Sequence, residues 1–316
     1  MNLQTHIPIQ QESQNPIDYT SKLLLIGSCF SENIGGKLDH YKFQAVQNPL
    51  GILFHPTAIE NFICNTINEK TYTEEDVFFY NERWHCFDAH SVVSSPNKEV
   101  LLKQLNHAIV STNKQLHQSS HLIITLGTSW VYRHIETDTI VANCHKVPQK
   151  KFLKEVLSID EITQSLEAII ALVNSVNNEV NILFTISPIR HLKDGFIENQ
   201  QSKAHLIAAI HQVLNRGNAS YFPSYELMMD ELRDYRFYAE DMLHPNQTAI
   251  NYIWENFTNS WISEEAQITM QEVATIQRGL AHRPFNEDSE QHQQFLKTLQ
   301  EKMETLQKAV PSIVFE

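Results

Sequence analysis

Basic charge is what this chain has too little of: Lys and Arg total 24 against 37 Asp and Glu, a formal net charge of −13. Nucleic acid and anionic membrane surfaces recruit proteins through basic patches, so this balance argues against both as partners. Cysteine is also sparse. Cys29, Cys64, Cys86 and Cys144 follow no framework spacing, which excludes a disulfide-stapled fold and predicts free thiols in a reducing cytoplasm. Residues 1–18 are polar and carry no secretory signal, and no apolar run reaches the roughly 18 residues that a membrane span needs. Neither common Gly-rich phosphate loop is present, because Gly35-Gly36 falls inside the first helical pattern, too late for a dinucleotide fingerprint. His85-Cys86 and Cys144-His145 fit no common structural zinc spacing, and neighbours on a strand point to opposite faces. No metal site is therefore expected. No internal repeat or low-complexity tract is visible.

What is present is a chain of 316 residues, 42% hydrophobic, long enough for one large domain with an appendage. Apolar runs at 22–26, 43–46, 122–126 and 182–186, with a short one at 220–222, read as strands buried on both faces. Between them lie amphipathic helical patterns at 57–67, after Asn97, at 157–176 and at 199–214. Strand and helix alternate, so the fold class is α/β with a mainly parallel, doubly wound sheet. Two excursions interrupt the rhythm: an aromatic-rich stretch at 77–93, and a hairpin at 130–143 turning near Glu136-Thr137-Asp138. From Ser263 the chain is polar and helical in pattern, with a break at Pro284 and a second helix at 291–309. The expected organisation is an α/β domain over 1–262 and a helical C-terminal extension over 263–316. The extension packs on that domain or on a partner, and offers a surface for self-association.

In open parallel sheets, ligands bind beyond the carboxyl ends of the strands. Gly27-Ser28-Cys29 follows the first strand, Asn48-Pro49-Leu50-Gly51 the second, Gly127-Thr128-Ser129 the third and Ser187-Pro188-Ile189-Arg190 the fourth. Asp241-Met242-Leu243-His244-Pro245-Asn246 follows the last, after a helical stretch. Ser28 or Cys29 as nucleophile, His244 as base and Asp241 as its orienting acid make up the minimum set for covalent acyl transfer. A helix starting after the first strand aims N–H groups at the nucleophile, where they lower a thiol pKa and stabilise an oxyanion. Taken singly, Gly-Ser-Cys is also an ordinary strand-to-helix turn, and Asp-x-x-His an ordinary surface turn or helix cap. Their order, each at a strand end, is what points to one site. Trp84, Asp88 and His90 either line a pocket for a sugar or acyl group or form the core of their own hairpin. Lys146, Lys150 and Lys151 either receive an anionic substrate or make a solvated face.

The run Leu23 to Ser31 resembles the first block of the SGNH (GDSL-type) hydrolases, and Asp241 to Asn246 resembles their last block, Asp-x-x-His-Pro-Asn. More closely, Gly27-Ser28-Cys29-Phe30, Asn48-Pro49-Leu50-Gly51 and Thr125-Leu126-Gly127-Thr128-Ser129-Trp130 resemble the GSCFA-domain family, with Ser31 where the family name has Ala. The resemblance covers about residues 20–260. It implies a three-layer α/β/α hydrolase fold without the Gly-x-Ser-x-Gly elbow of other esterases. It also implies hydrolysis or transfer of an ester-linked acyl group with no cofactor.

Aligned without a gap, the family's serine falls on Cys29; a one-residue shift selects Ser28. Cys29 is favoured, because the strand, the Gly and Ser31 then align together. The implied oxyanion hole is the N–H of Cys29 and of Gly51, with Ser129 standing where the family has a third donor, an Asn; Asn143 and Arg190 are candidates to replace it. Asn48, Trp130, Asn143, Arg190, Trp84 and His90 are the expected substrate-binding residues. The expected function is a cytoplasmic ester hydrolase acting on a small acylated substrate, such as a carbohydrate ester. The alternatives are an acyltransferase on the same site, or a binding or scaffolding protein whose site has degenerated.

Overall fold

The computed structural model of the chain describes residues 5–217 and 219–315. Along the chain run β1 (Lys22–Gly27), α1 (Cys29–His40), β2 (Gln44–Gln47) and α2 (Pro56–Ile67), then a small hairpin of β3 (Phe78–Tyr80) and β4 (Arg83–His85). Next come α3 (Lys98–Gln118), β5 (His121–Leu126), β6 (Trp130–His134), β7 (Thr139–Val141), β8 (Phe152–Val156) and α4 (Ile159–Val176). They are followed by β9 (Asn181–Ile186), α5 (Phe196–Leu214), β10 (Ser220–Phe222) and a short turn α6 (Ser224–Glu226) that continues into π-helix. The chain closes with α7 (Gln247–Trp261), α8 (Glu264–Leu280) and α9 (Glu290–Ala309).

The central sheet has the strand order β10-β9-β5-β1-β2, parallel throughout. Its five strands fall on the five apolar runs expected from the sequence, but β2 is an edge strand with Val46 and Gln47 exposed, not a strand buried on both faces. The two-residue side-chain period sorts each strand between two cores. Leu24, Ile26, Leu122, Ile124, Ile182 and Phe184 pack under α2, α3, α4 and α5, while Leu23, Leu25, Ile123 and Leu183 pack under α1, α7, α8 and α9. The result is the three-layer α/β/α arrangement. Helix starts follow the expected capping chemistry: Asn97 Oδ1 accepts from Val100 N at 2.9 Å, and Ser158 forms a capping box with Glu161.

The helical extension is spent on its own domain. Met270, Val273, Ile276, Leu299 and Leu306 join the core that contains Leu23, and Ser312 Oγ donates to Tyr19 O at 3.0 Å. The expected hairpin at 130–143 exists, with Asp138 at φ 54° in its turn. It also pairs with β8, so the excursion is a three-stranded antiparallel sheet, β7-β6-β8. That third strand has no apolar run to announce it, because Leu153 and Lys154 are exposed and only Phe152 is buried.

Candidate active site at the strand ends

β1 ends at Gly27 with φ 146°, and a Cβ there would lie 2.2 Å from the carbonyl oxygen of Thr125 on β5, so only glycine fits. Ser28 N then donates to the same Thr125 oxygen at 3.0 Å. The Ser28 side chain is fully buried and caps α1, its Oγ accepting from Phe30 N at 3.3 Å. Cys29 is the first helical residue and is half-buried, and its Sγ lies 4.0 Å from His244 Nε2. Of the two adjacent candidates, the fold turns the serine inward and the cysteine toward the imidazole.

His244 is held by its own loop. Asp241 Oδ2 lies 2.6 Å from His244 Nδ1, while Oδ1 accepts from Leu243 N at 2.9 Å and from His244 N at 3.0 Å. Those two main-chain N–H groups, followed by the imidazole, hold the Asp241 carboxyl down at about 2. An ionised carboxylate only accepts, so Nδ1 is the donor to Asp241, and in the neutral imidazole Nε2 is then the acceptor that faces the thiol. Arg190 supports this loop rather than lining a cavity. Its N–H donates to Leu243 O at 3.2 Å, and its guanidinium lies 4.2 Å from the Tyr238 ring centre.

Several expectations are corrected by this geometry. Burial pushes the Cys29 thiol up to about 11, against the N–H groups of Cys29 and Phe30 that favour its charged form, so it rests as a neutral thiol instead of a preformed thiolate. Gly51 N–H is already given to Asn48 O at 2.7 Å, closing the turn after β2, and is no free oxyanion donor. Ser129 is fully buried and tied to α5: its N–H donates to Ser202 Oγ at 2.7 Å and its Oγ to Ser202 O at 3.4 Å. It belongs to the packing of the sheet on α5 and not to an oxyanion hole. Trp84 packs against Phe79 of its own hairpin, the rings tilted by 56°, with Lys98 of α3 over it at 5.2 Å, and is no substrate platform. His90 packs against Gly51, its N–H on Leu50 O at 2.9 Å, and props up the turn after β2. Asn48 Oδ1 accepts from Gly27 N at 2.9 Å, so this residue fixes the turn that carries Cys29; its Nδ2 is buried without a partner.

Trp130 and Asn143 do come together. They line a cavity of about 490 Å³ with Tyr132, Phe152, Gln149 and Asp194. Cys29 and His244 lie outside that lining. Phe54, Thr128 and His191 form its wall toward them, for a Cβ on Gly127 would meet His191 Nε2 at 3.2 Å, Phe54 O at 3.2 Å and Ser28 Cβ at 3.4 Å. Of the three basic side chains, Lys146 reaches this cavity, while Lys151 pairs with Glu136 on the surface. Among the described residues no group of three His, Cys, Asp or Glu is placed to hold a metal ion, and no helix is long and apolar enough to cross a membrane.

Sequence reasoning missed Tyr132, Gln149 and Asp194 in the cavity lining, and two buried groups beside the turn that carries Cys29. His191, in the loop after β9, is pushed down to about 3 by burial and by the charges of Lys203 and His244. Lys203 is 1% exposed, and its Nζ donates to Gly127 O and Ser187 O at 2.8 Å each. A signal for Lys203 existed, since it falls on the same helical stripe as Leu206, Ala209, Ile210 and Val213.

A family model described as GSCFA family matches residues 22–257, and one described as GSCFA domain protein, C-terminal domain, matches residues 273–316. No curated protein matches the chain significantly. The chain belongs to the GSCFA family.

Proposed function

We propose that this GSCFA-family chain is an SGNH-like acyl hydrolase that works through Cys29, His244 and Asp241. The observation carrying the proposal is the relay from Asp241 Oδ2 to His244 Nδ1 at 2.6 Å and from His244 Nε2 to Cys29 Sγ at 4.0 Å, at the carboxyl ends of the sheet. His244 Nε2 takes the thiol proton as Sγ bonds to the acyl carbon, and the carbonyl electron pair moves onto oxygen. The N–H of Cys29, at the positive end of α1, stabilises that oxyanion. Its collapse breaks the ester C–O bond, and the imidazolium returns the proton to the leaving alkoxide. Water, deprotonated by His244, then cleaves the thioester to a carboxylic acid and restores the thiol; an alcohol in place of water makes the same site an acyltransferase.

The neutral resting thiol makes His244 indispensable, because the nucleophile is generated only as its proton is taken. The cavity beside the wall of Phe54, Thr128 and His191 suits the alcohol portion of the substrate. Trp130 and Tyr132 line it with aromatic rings, and Asn143 and Gln149 offer hydroxyl partners beside Asp194, which Lys154 holds at 2.9 Å, as suits an acylated carbohydrate. Free cysteines throughout support work in a reducing cytoplasm. The test is turnover of small aryl acetates and acetylated sugars by wild type, Cys29→Ala, Ser28→Ala and His244→Ala. Loss with Cys29→Ala and His244→Ala is expected, and undiminished turnover in both sinks the proposal.

A second reading is favoured by one observation: both further oxyanion donors, Gly51 and Ser129, are spent on internal bonds. A binding protein on a hydrolase fold would then use the cavity without turnover. It predicts saturable sugar-ester binding, abolished by Trp130→Ala, with no acid released.

A further inference from the structure

Lys203 is a buried cation with no carboxylate. It sits on the inward face of α5, 1% exposed, with two of its three N–H donors on the carbonyls that directly follow β5 and β9. One of these is Gly127 O, and Gly127 packs against Ser28, the neighbour of Cys29. Among the described residues no Asp or Glu forms an ion pair with it. The groups that face it are the Tyr225 ring, 5.5 Å from Nζ, and His191, which the lysine itself helps keep neutral. The charge that favours its ammonium is that of the Cys29 thiolate, against burial, which draws Lys203 down to about 7. The relation is reciprocal: Lys203 draws the Cys29 thiol down, against burial and against Glu32 on α1. His244 completes the set of charged or titratable groups facing the sulfur.

We propose that Lys203 is a positioning residue for the nucleophile, its ammonium held by the Gly127 and Ser187 carbonyls as the counter-charge of the thiolate that forms at Cys29. This rests on Cys29 being the nucleophile. A half-buried anion formed without a cation is disfavoured, and an ammonium at the strand ends reduces that penalty for as long as it keeps its proton. A lysine that only stitched β5 to β9 would do so equally at every pH. A counter-charge acts only while it is protonated.

The test follows the rate at which Cys29 reacts with 2,2′-dithiodipyridine across pH, in the full chain carrying His244→Gln, which takes the facing imidazole away from the thiol. Cys64 and Cys144, resolved by peptide mass, are the internal controls. In coupled titration the plot of log rate against pH for Cys29 should flatten by about one unit as Lys203 loses its proton, between about pH 6 and 8, and then resume unit slope. Lys203→Met should remove the inflection and lower the rate about tenfold at about pH 6, with the curves converging at high pH. A straight line of unit slope for Cys29, or the same inflection in a folded Lys203→Met chain, overturns the proposal. If Lys203→Met does not fold, the His244→Gln curve alone decides. The assay needs no substrate, so a chain that shows the inflection yet hydrolyses no ester sinks the hydrolase reading and leaves the charge pair standing.

Discussion

Cys29 and His244 face one another across 4.0 Å, yet the ground beneath each is built differently. The thiol rests on Gly27 and Ser28, which need Thr125 of β5 and Asn48 after β2 to hold their turn. Lys203 comes from α5, and the whole assembly is buried enough to push the thiol up to about 11. Apart from Arg190 N–H on Leu243 O, the imidazole is held by its own loop. Asp241, Leu243 and His244 bond among themselves, Asn246 caps α7, and the side chains of Asp241 and His244 remain 46% and 49% exposed. The proposed nucleophile is thus placed by the sheet and opposed by its surroundings, whereas the proposed base is placed by bonds within its own loop. Disturbing the first half should cost the fold, and disturbing the second should cost chemistry alone.

The sharpest break of that contrast is chemical. Cys29→Ala and His244→Ala should each lower kcat/KM on an aryl acetate by about 10³-fold or more, and Asp241→Asn by about 10²–10⁴-fold. Melting temperatures of the His244 and Asp241 variants should stay within a few degrees of wild type. Next is Gly27→Ala, expected to cost about 3 kcal/mol or more in urea unfolding, because the added Cβ would meet Thr125 O at 2.2 Å on backbone at φ 146°. An unchanged midpoint would mean that the thiol half is no more dependent on the sheet than the base half.

Acid should then separate buried histidines from the exposed loop. His55 and His145 are pushed down to about 4, and His191 to about 3, mainly by burial. Their folded values lie below the unfolded value of about 6.5, so the unfolded chain binds more protons in between. Stability is full above that value and declines as pH falls toward 4, which urea midpoints at stepped pH would show. Replacing His55 by Gln should flatten this slope. The smallest effect belongs to Met242, exposed at φ 60° in the base loop. Met242→Gly exchanges left-handed strain for chain entropy and should move stability by no more than about 1 kcal/mol.

Legibility in the sequence followed the same division. β1, β5 and β9 announced themselves as apolar runs because strands covered on both faces have no polar side, whereas the edge strand β2 leaves Val46 and Gln47 exposed. Asp241 and His244 were readable because their contact spans three residues. β8 was not, since its exposed Leu153 and Lys154 hide the pattern of a strand. Gly51 and Ser129 looked like oxyanion donors by position, but Gly51 closes its own turn on Asn48, three residues back. Ser129 finds Ser202 of α5, 73 residues away, which only packing brings beside it. Trp84 and Trp130 were equivalent aromatics in the chain, and only packing put one against Lys98 and the other in the cavity.

What the sequence by itself determined is the order of elements, the parallel sheet and the local acid–base loop, because periodicity, capping and short-range hydrogen bonds are properties of neighbouring residues. Tertiary structure alone decided that Cys29 rather than Ser28 meets the imidazole, that the thiol rests protonated, and that a lysine stands where no carboxylate answers it. Those outcomes depend on burial and on charges brought together across 215 and 76 residues of chain, and the free energy of a charge is set by everything around it, not by its place in the sequence.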